Sequence, residues 1–176
     1  LCVGGGELLG GAARPVAGDG GEAAAPKDKN IARIGKVYWY KKERRLEING
    51  KVCLDSGPLE FLAVLKGGKE YESVLSFDCS AIDLNVAMIG AGYRAAGGVK
   101  KIGDPETPKG DPVYLHVEWK DDDGKTKRVR AEDLLWNQVT KKPMRRTAWV
   151  FSGSSFRRDP ETKKLYFMAE EEKKLI

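Results

Sequence analysis

A β-rich α+β domain is the fold this sequence predicts: mainly antiparallel sheets, with one principal helix over about residues 80–92 packed on a sheet face. Three observations predict it. Apolar and polar side chains alternate with period two from Gly35 onward. Short turn-forming segments separate the alternating runs, so neighbouring strands should pair antiparallel. Only the segment opening at Ser80 carries apolar residues at convincing helical spacing.

The elements follow in order. Gly35 to Tyr40 is rich in aromatic and β-branched residues and reads as a strand, with Lys41 to Arg44 as its turn. Leu46 and Ile48 alternate, Asn49-Gly50 is a hairpin signal, and Val52 and Leu54 alternate after it. Leu59 to Leu65 is almost continuously apolar, as a strand covered on both faces would be. Lys66-Gly67-Gly68-Lys69 predicts a tight turn and Glu70 to Asp78 an antiparallel return, with Val64 opposite Tyr71, Leu62 opposite Ser73 and Glu60 opposite Leu75.

Ser80 then caps the helix, with Asp83 three residues on as a capping-box variant. Ile82, Val86, Ile89 and Tyr93 fall at helical spacing. Residues 94–112 form a long Gly/Pro/Lys loop. Val113, Leu115, Val117 and Trp119 make a clean alternating strand, Asp121 to Gly124 turns the chain, and Lys125 to Arg130 returns it. Ala131 to Trp136 suggests a helical turn. Thr147 to Phe156 and Leu165 to Ala169 read as a last hairpin around Asp159-Pro160.

Domain organisation is simple. Residues 1–33 are Gly/Ala-rich with few large apolar side chains, so they are expected to be a disordered tail. Leu8 to Ala17 fits equally the remnant of a signal peptide and a linker. Residues 34–176 are expected to be a single domain. Gly4-Gly5-Gly6 is no dinucleotide fingerprint, because Leu9 stands at the third glycine position and no strand precedes it.

Composition narrows the chemistry. Of 176 residues, 31 are Lys or Arg and 26 Asp or Glu, a net charge of +5. The cations occur in separate tufts interrupted by Asp121-Asp122-Asp123 and Glu170-Glu171-Glu172, which reads as a solvated surface rather than a nucleic-acid stripe. One histidine and three cysteines exclude a multi-histidine metal centre and a four-cysteine iron–sulfur cluster. Cys53 and Cys79 fit either a disulfide or two small buried thiols; their spacing does not decide. No apolar run approaches the roughly 18 residues of a membrane helix. No metal and no cofactor are expected.

The catalytic equipment is poor. His116 lies on the strand face opposite Val113, Leu115, Val117 and Trp119, beside Tyr114 and Glu118. Ser152-Gly153-Ser154-Ser155 does not match the G-x-S-x-G elbow, and a serine triad would have to use His116. A strand bend at Gly153 explains the segment better, with Ser152 and Ser154 kept as ligand-binding candidates. Glu60, inside an apolar run, needs a cationic partner such as Arg45, Lys66 or Lys69. Glu70 and Glu72 are expected to share a strand face. Together, Glu60, Glu70, Tyr71, Glu72 and Ser73 are the residues on which an enzyme or divalent-cation site would be built. Of the tryptophans, Trp119 and Trp149 follow the core phase, whereas Trp39 and Trp136 are open to a stacking role.

Several segments resemble the YdjY-type domain, a bacterial family common in planctomycetes. They are Gly57-Pro58-Leu59-Glu60-Phe61, Lys69-Glu70-Tyr71-Glu72-Ser73-Val74, Gly110-Asp111-Pro112-Val113 with Val117-Glu118-Trp119, and above all Trp149-Val150-Phe151-Ser152-Gly153-Ser154-Ser155-Phe156 followed by Asp159-Pro160-Glu161-Thr162. The resemblance spans roughly residues 34–176. It implies no established activity. It implies export, since many members carry a signal, and a chain that continues beyond Leu175-Ile176. Members often have a histidine where this chain has Tyr71, so a role built on that histidine does not carry over. The cysteine-rich iron–sulfur segments of some relatives are missing here. The leading expectation is a non-catalytic, exported binding or structural module of the cell envelope, whose partner is a protein or another envelope component rather than nucleic acid. The alternatives are the enzyme or cation site just named and nucleic-acid binding through basic residues 125–146.

Overall fold

The computed structural model describes residues 2–4, 28–95 and 109–176. The first seven strands are β1 (Cys2–Gly4), β2 (Ile31–Ile34), β3 (Val37–Tyr40), β4 (Arg45–Ile48), β5 (Gly50–Val52), β6 (Phe61–Leu65) and β7 (Ser73–Phe77). Helix α1 (Ala81–Gly90) follows. Next come β8 (Pro112–Lys120), β9 (Thr126–Arg130), β10 (Trp136–Asn137), β11 (Lys142–Pro143) and β12 (Trp149–Val150). The chain closes with β13 (Phe156–Arg158), β14 (Leu165–Phe167) and the short helix α2 (Met168–Glu172). Glu70–Glu72 and Ala131–Leu134 are 3-10 turns. The β-rich α+β class holds, with mostly antiparallel pairing and one main helix.

A seven-stranded sheet runs β12-β8-β1-β4-β3-β2, with β9 also paired to β8. A three-stranded sheet runs β5-β7-β6, and β10-β11 and β13-β14 are separate ribbons. One strand falls inside the stretch expected to be a tail and a second straddles its end: β1 lies between β4 and β8, and β2 pairs with β3. The proposed signal or linker segment, Leu8 to Ala17, lies outside the described residues, as do residues 96–108 of the long loop.

Three expectations need correction. Asn49-Gly50 is not a hairpin turn. It carries the chain from the large sheet to the small one, since β4 pairs with β3 while β5 pairs with β7. Glycine is needed there for close approach: a Cβ at Gly50 would lie 2.6 Å from the Ser76 carbonyl oxygen. Second, β6 and β7 pair in parallel, with Phe61 opposite Ser73 and Leu65 opposite Phe77. Gly67, at φ +77°, turns the chain, but the 3-10 turn at Glu70–Glu72 then carries it back to the start of β6, so β7 runs in the same direction. The Glu70 carboxylate holds this crossover by accepting from the Gly67 N–H and the Ser76 hydroxyl, both at 2.9 Å.

Third, the helix turns the other face inward. Ala81, Ala87, Met88, Ala91 and Tyr93 are buried, whereas Ile82, Val86 and Ile89 form an exposed stripe. Small residues on the inner face bring the helix close to the sheet: a Cβ at Gly90 would sit 3.3 Å from the Trp39 ring. Both ends of α1 are fixed by distant side chains. The Ser80 hydroxyl accepts from the Ile82 and Asp83 N–H groups, and the Glu170 carboxylate accepts from Ala81 N–H at 2.5 Å. At the other end, the Arg44 guanidinium donates to the Ala91 and Gly92 carbonyls, which places a cation at the negative pole of the helix. Ser80→Ala is expected to cost about 1 kcal/mol in chemical denaturation. A loss below a few tenths would mean that Glu170 caps the helix alone.

The core lies between the two sheets and α1. Val37, Leu46 and Ile48 meet Leu62, Leu75 and Phe77 from the small sheet, Ala87 and Met88 from the helix, and Val113 and Leu115 from β8. All five residues of β7 are buried, so this strand is covered on both faces. A smaller cluster joins Leu65, Ala81 and Phe167. The residues 173–176 run antiparallel beside β6: Leu62 and Ala63 N–H groups donate to the Ile176 carbonyl, and Leu65 N–H to that of Lys173. With β6 flanked in this way, the small sheet keeps one edge unpaired among the described residues, that of β5.

Candidate functional site

The acidic residues singled out from the sequence do not converge on a pocket. Glu60 is exposed at the start of β6 and pairs with Lys69 at 2.5 Å; the same ammonium reaches Glu72 at 3.1 Å. Lys69 was one of the three partners the sequence offered. Glu70 and Glu72 lie on the 3-10 turn rather than on one strand face, and Glu70 is held by Lys51 at 2.7 Å. That ammonium, with the Gly67 N–H and the Ser76 hydroxyl, lowers the Glu70 pKa to about 2. The Tyr71 side chain points into solvent, whereas Ser73 is fully buried and donates to the Lys69 carbonyl. A divalent cation would therefore have to displace two lysines that already neutralise these carboxylates. Among the described residues no group of three or more His, Cys, Asp and Glu side chains could hold a metal ion.

Ser152 and Ser154 have structural partners. The Ser152 hydroxyl donates weakly to the Gly153 carbonyl at 3.4 Å, and the Ser154 hydroxyl accepts from Ala169 N–H at the start of α2. The Ser155 carbonyl accepts from Met168 N–H. Gly153, at φ +72°, makes the bend between β12 and β13, as the sequence suggested.

His116 is half-buried on β8, across from Arg130 on β9. Burial, then the nearby Arg128 and Arg130 cations, lower its pKa below the usual histidine value. No serine or acid is hydrogen-bonded to it among the described residues. Cys53 and Cys79 are free thiols. Burial pushes Cys79 up to about 12, which leaves it protonated and inert as a nucleophile.

Most of the basic cluster around β9 is internally paired. Lys125 meets Asp123, Lys127 meets Asp121, and Arg146 meets Asp133 through two hydrogen bonds. Arg130 forms a forked pair with the fully buried Glu132 at 2.6 and 3.1 Å, donates to the Thr147 carbonyl, and stacks over the Tyr114 ring. Sequence reasoning counted Arg130 in a basic run and missed that pair. Its only sequence signal is the short Arg130-Ala131-Glu132 spacing.

Among the described residues, a concavity lies between the two sheets. It has a volume of about 200 Å³ and is lined by Lys51, Val52, Leu75 and Phe77 of the small sheet and by Val117, Glu118 and Trp119 of β8. Val52 is 60 % and Trp119 45 % exposed, so both rims are apolar and accessible. Trp119 follows the core alternation of β8 but lies past the point where the core ends. Trp149 packs against the core as expected, as does Trp39 in part, and Trp136 is exposed.

The fold is thus a β-rich α+β domain of two main sheets and one principal helix, with a cleft at the margin of the sheets. A family model for the YdjY domain matches residues 37–165, and the chain belongs to that family. No curated protein and no solved structure matches it. Among the described residues no helix is long and apolar enough to cross a membrane.

Proposed function

We propose that this YdjY domain is a non-catalytic binding module of an exported protein at the bacterial cell envelope, and that it takes an extended segment of a protein partner in the cleft between its sheets. One observation carries the reading: the only unpaired edge of the small sheet among the described residues, β5, borders that cleft. An open edge offers backbone donors and acceptors for strand addition, and neighbouring apolar hollows select alternate side chains of the added strand. The cleft volume of about 200 Å³ lies below the roughly 300–1,000 Å³ of small-molecule pockets. It suits one anchoring side chain against Val52 and Trp119 better than a whole metabolite.

Selection of displayed random peptides on the immobilised domain tests this. Enriched peptides are expected to alternate apolar and polar residues and to lose at least about tenfold in affinity on Trp119→Ala or Val52→Lys, as truncation of a central aromatic anchor does. Peptides that bind both variants unchanged, or no enrichment, would overturn the cleft assignment. Fractionation of cells carrying the full-length protein tests export separately; recovery from the cytosol alone would sink that part.

A further inference from the structure

We propose that the β10–β11 hairpin is an arm that docks the domain onto an anionic lipid surface. Every residue from 136 to 143 is exposed, so the ribbon stands clear of the body. It carries large apolar side chains that belong to neither core cluster: Val139, at the tip, is 91 % exposed and Trp136 55 %. Beside them stand Lys141, Lys142 and Arg145. Between Leu134 and Arg146 there is no acidic residue, so the arm's positive charge is not balanced within it.

The arm is also built to hold its shape. The Asn137 side-chain oxygen accepts from the Val139 and Thr140 N–H groups, and Lys141 N–H donates to the Asn137 carbonyl. Met144 N–H continues the ladder to the Leu135 carbonyl, and the Arg146–Asp133 pair anchors the base. A preformed turn that presents valine loses little further entropy on docking.

A tryptophan beside an apolar tip, with cations near it, matches the layers of a membrane interface: aromatic rings sit at headgroup level and Lys or Arg meet anionic headgroups. A nucleic acid would use the cations but has no use for the valine. Of the other cations of the region, Lys125, Lys127 and Arg130 are already held by Asp123, Asp121 and Glu132, which leaves Arg128 on β9 as the exception. The inference is independent of the cleft.

Co-sedimentation of the intact chain with phosphatidylcholine vesicles, with and without about a third phosphatidylglycerol, is the test. Binding is expected only to the anionic vesicles. Each lost cation should weaken it about fivefold, so Lys142→Gln with Arg145→Gln gives about a twenty-five-fold loss. Val139→Asp should abolish binding, and Trp119→Ala in the cleft should leave it unchanged. Equal binding to neutral vesicles, no binding to either, or indifference to Val139→Asp would overturn the proposal. So would binding to a single-stranded oligonucleotide in place of vesicles, which would make the arm a nucleic-acid element.

Discussion

Replacing Glu132 with alanine is expected to destabilise the domain by about 3–5 kcal/mol, because it leaves the Arg130 guanidinium with its main counter-charge gone in a largely buried setting. The loss is not simply the worth of one ion pair. Glu132 also accepts from Thr147 N–H, so the carboxylate ties β9, the 3-10 turn and the segment leading to β12 into one unit. Removing both charges should cost less than removing one: Arg130→Met with Glu132→Met is expected to be more stable than Glu132→Ala alone. Urea denaturation measures all three chains. A single-variant loss under about 0.5 kcal/mol would show that Arg130 finds water instead.

The same carboxylate gives the domain a pH dependence of definite sign. Burial favours the neutral acid, but Arg130 and backbone N–H groups outweigh it, so the folded pKa lies below the ordinary 4.5. A depressed folded pKa means that the stabilisation is fully present above the unfolded value and is lost as the pH falls through the folded one. Stability should therefore decline below about pH 4.5, with Glu70, Asp78 and Asp133, also lowered by their partners, adding to the slope. In Glu132→Gln the Glu132 part of that slope disappears.

Gly110→Ala is expected to be the most damaging single-methyl change, at about 3 kcal/mol or more and with poor recovery of folded protein. Gly110 has φ +144°, a region that only glycine enters readily, and a Cβ would lie 2.1 Å from the Phe151 carbonyl oxygen. Neither neighbour can give way. Phe151 N–H is bonded to the Asp111 carbonyl, while Asp111 N–H donates to the Arg94 carbonyl and the Asp111 carboxylate accepts from Arg94 N–H. Thermal melting compares the two chains; a shift of under 2 °C would mean that this junction is pliable. The change tests why Gly110-Asp111-Pro112 and the Trp149 to Phe156 segment occur together. They are the two sides of one backbone contact.

What was legible in the sequence was local. The β8–β9 ribbon could be read because alternation from Val113 to Trp119 and the Asp121 to Gly124 turn act over neighbouring residues. Helix α1 could be read because Ser80 caps it through its own next turn. The inner face of that helix could not, since Ile82, Val86 and Ile89 have the same spacing as a buried stripe. What decides is tertiary packing, in which the Trp39 ring comes close enough that a Cβ at Gly90 would meet it at 3.3 Å. Gly67-Gly68 carried a sound turn signal, but turn chemistry does not say which way the next strand runs. The acidic cluster was visible as residues, while the lysines that neutralise it were not assignable. The cleft was hidden because Val52 and Trp119 meet only when two sheets pack, 67 positions apart in the chain.

The bonds from residues 173–176 to β6 have a consequence in time. A strand laid down near position 63 waits for a partner more than a hundred residues later, and β1 likewise waits for β8. Such distant pairings delay the commitment of a chain to its final form. During synthesis the backbone of β6 stays open on that side until residues 173–176 have been made.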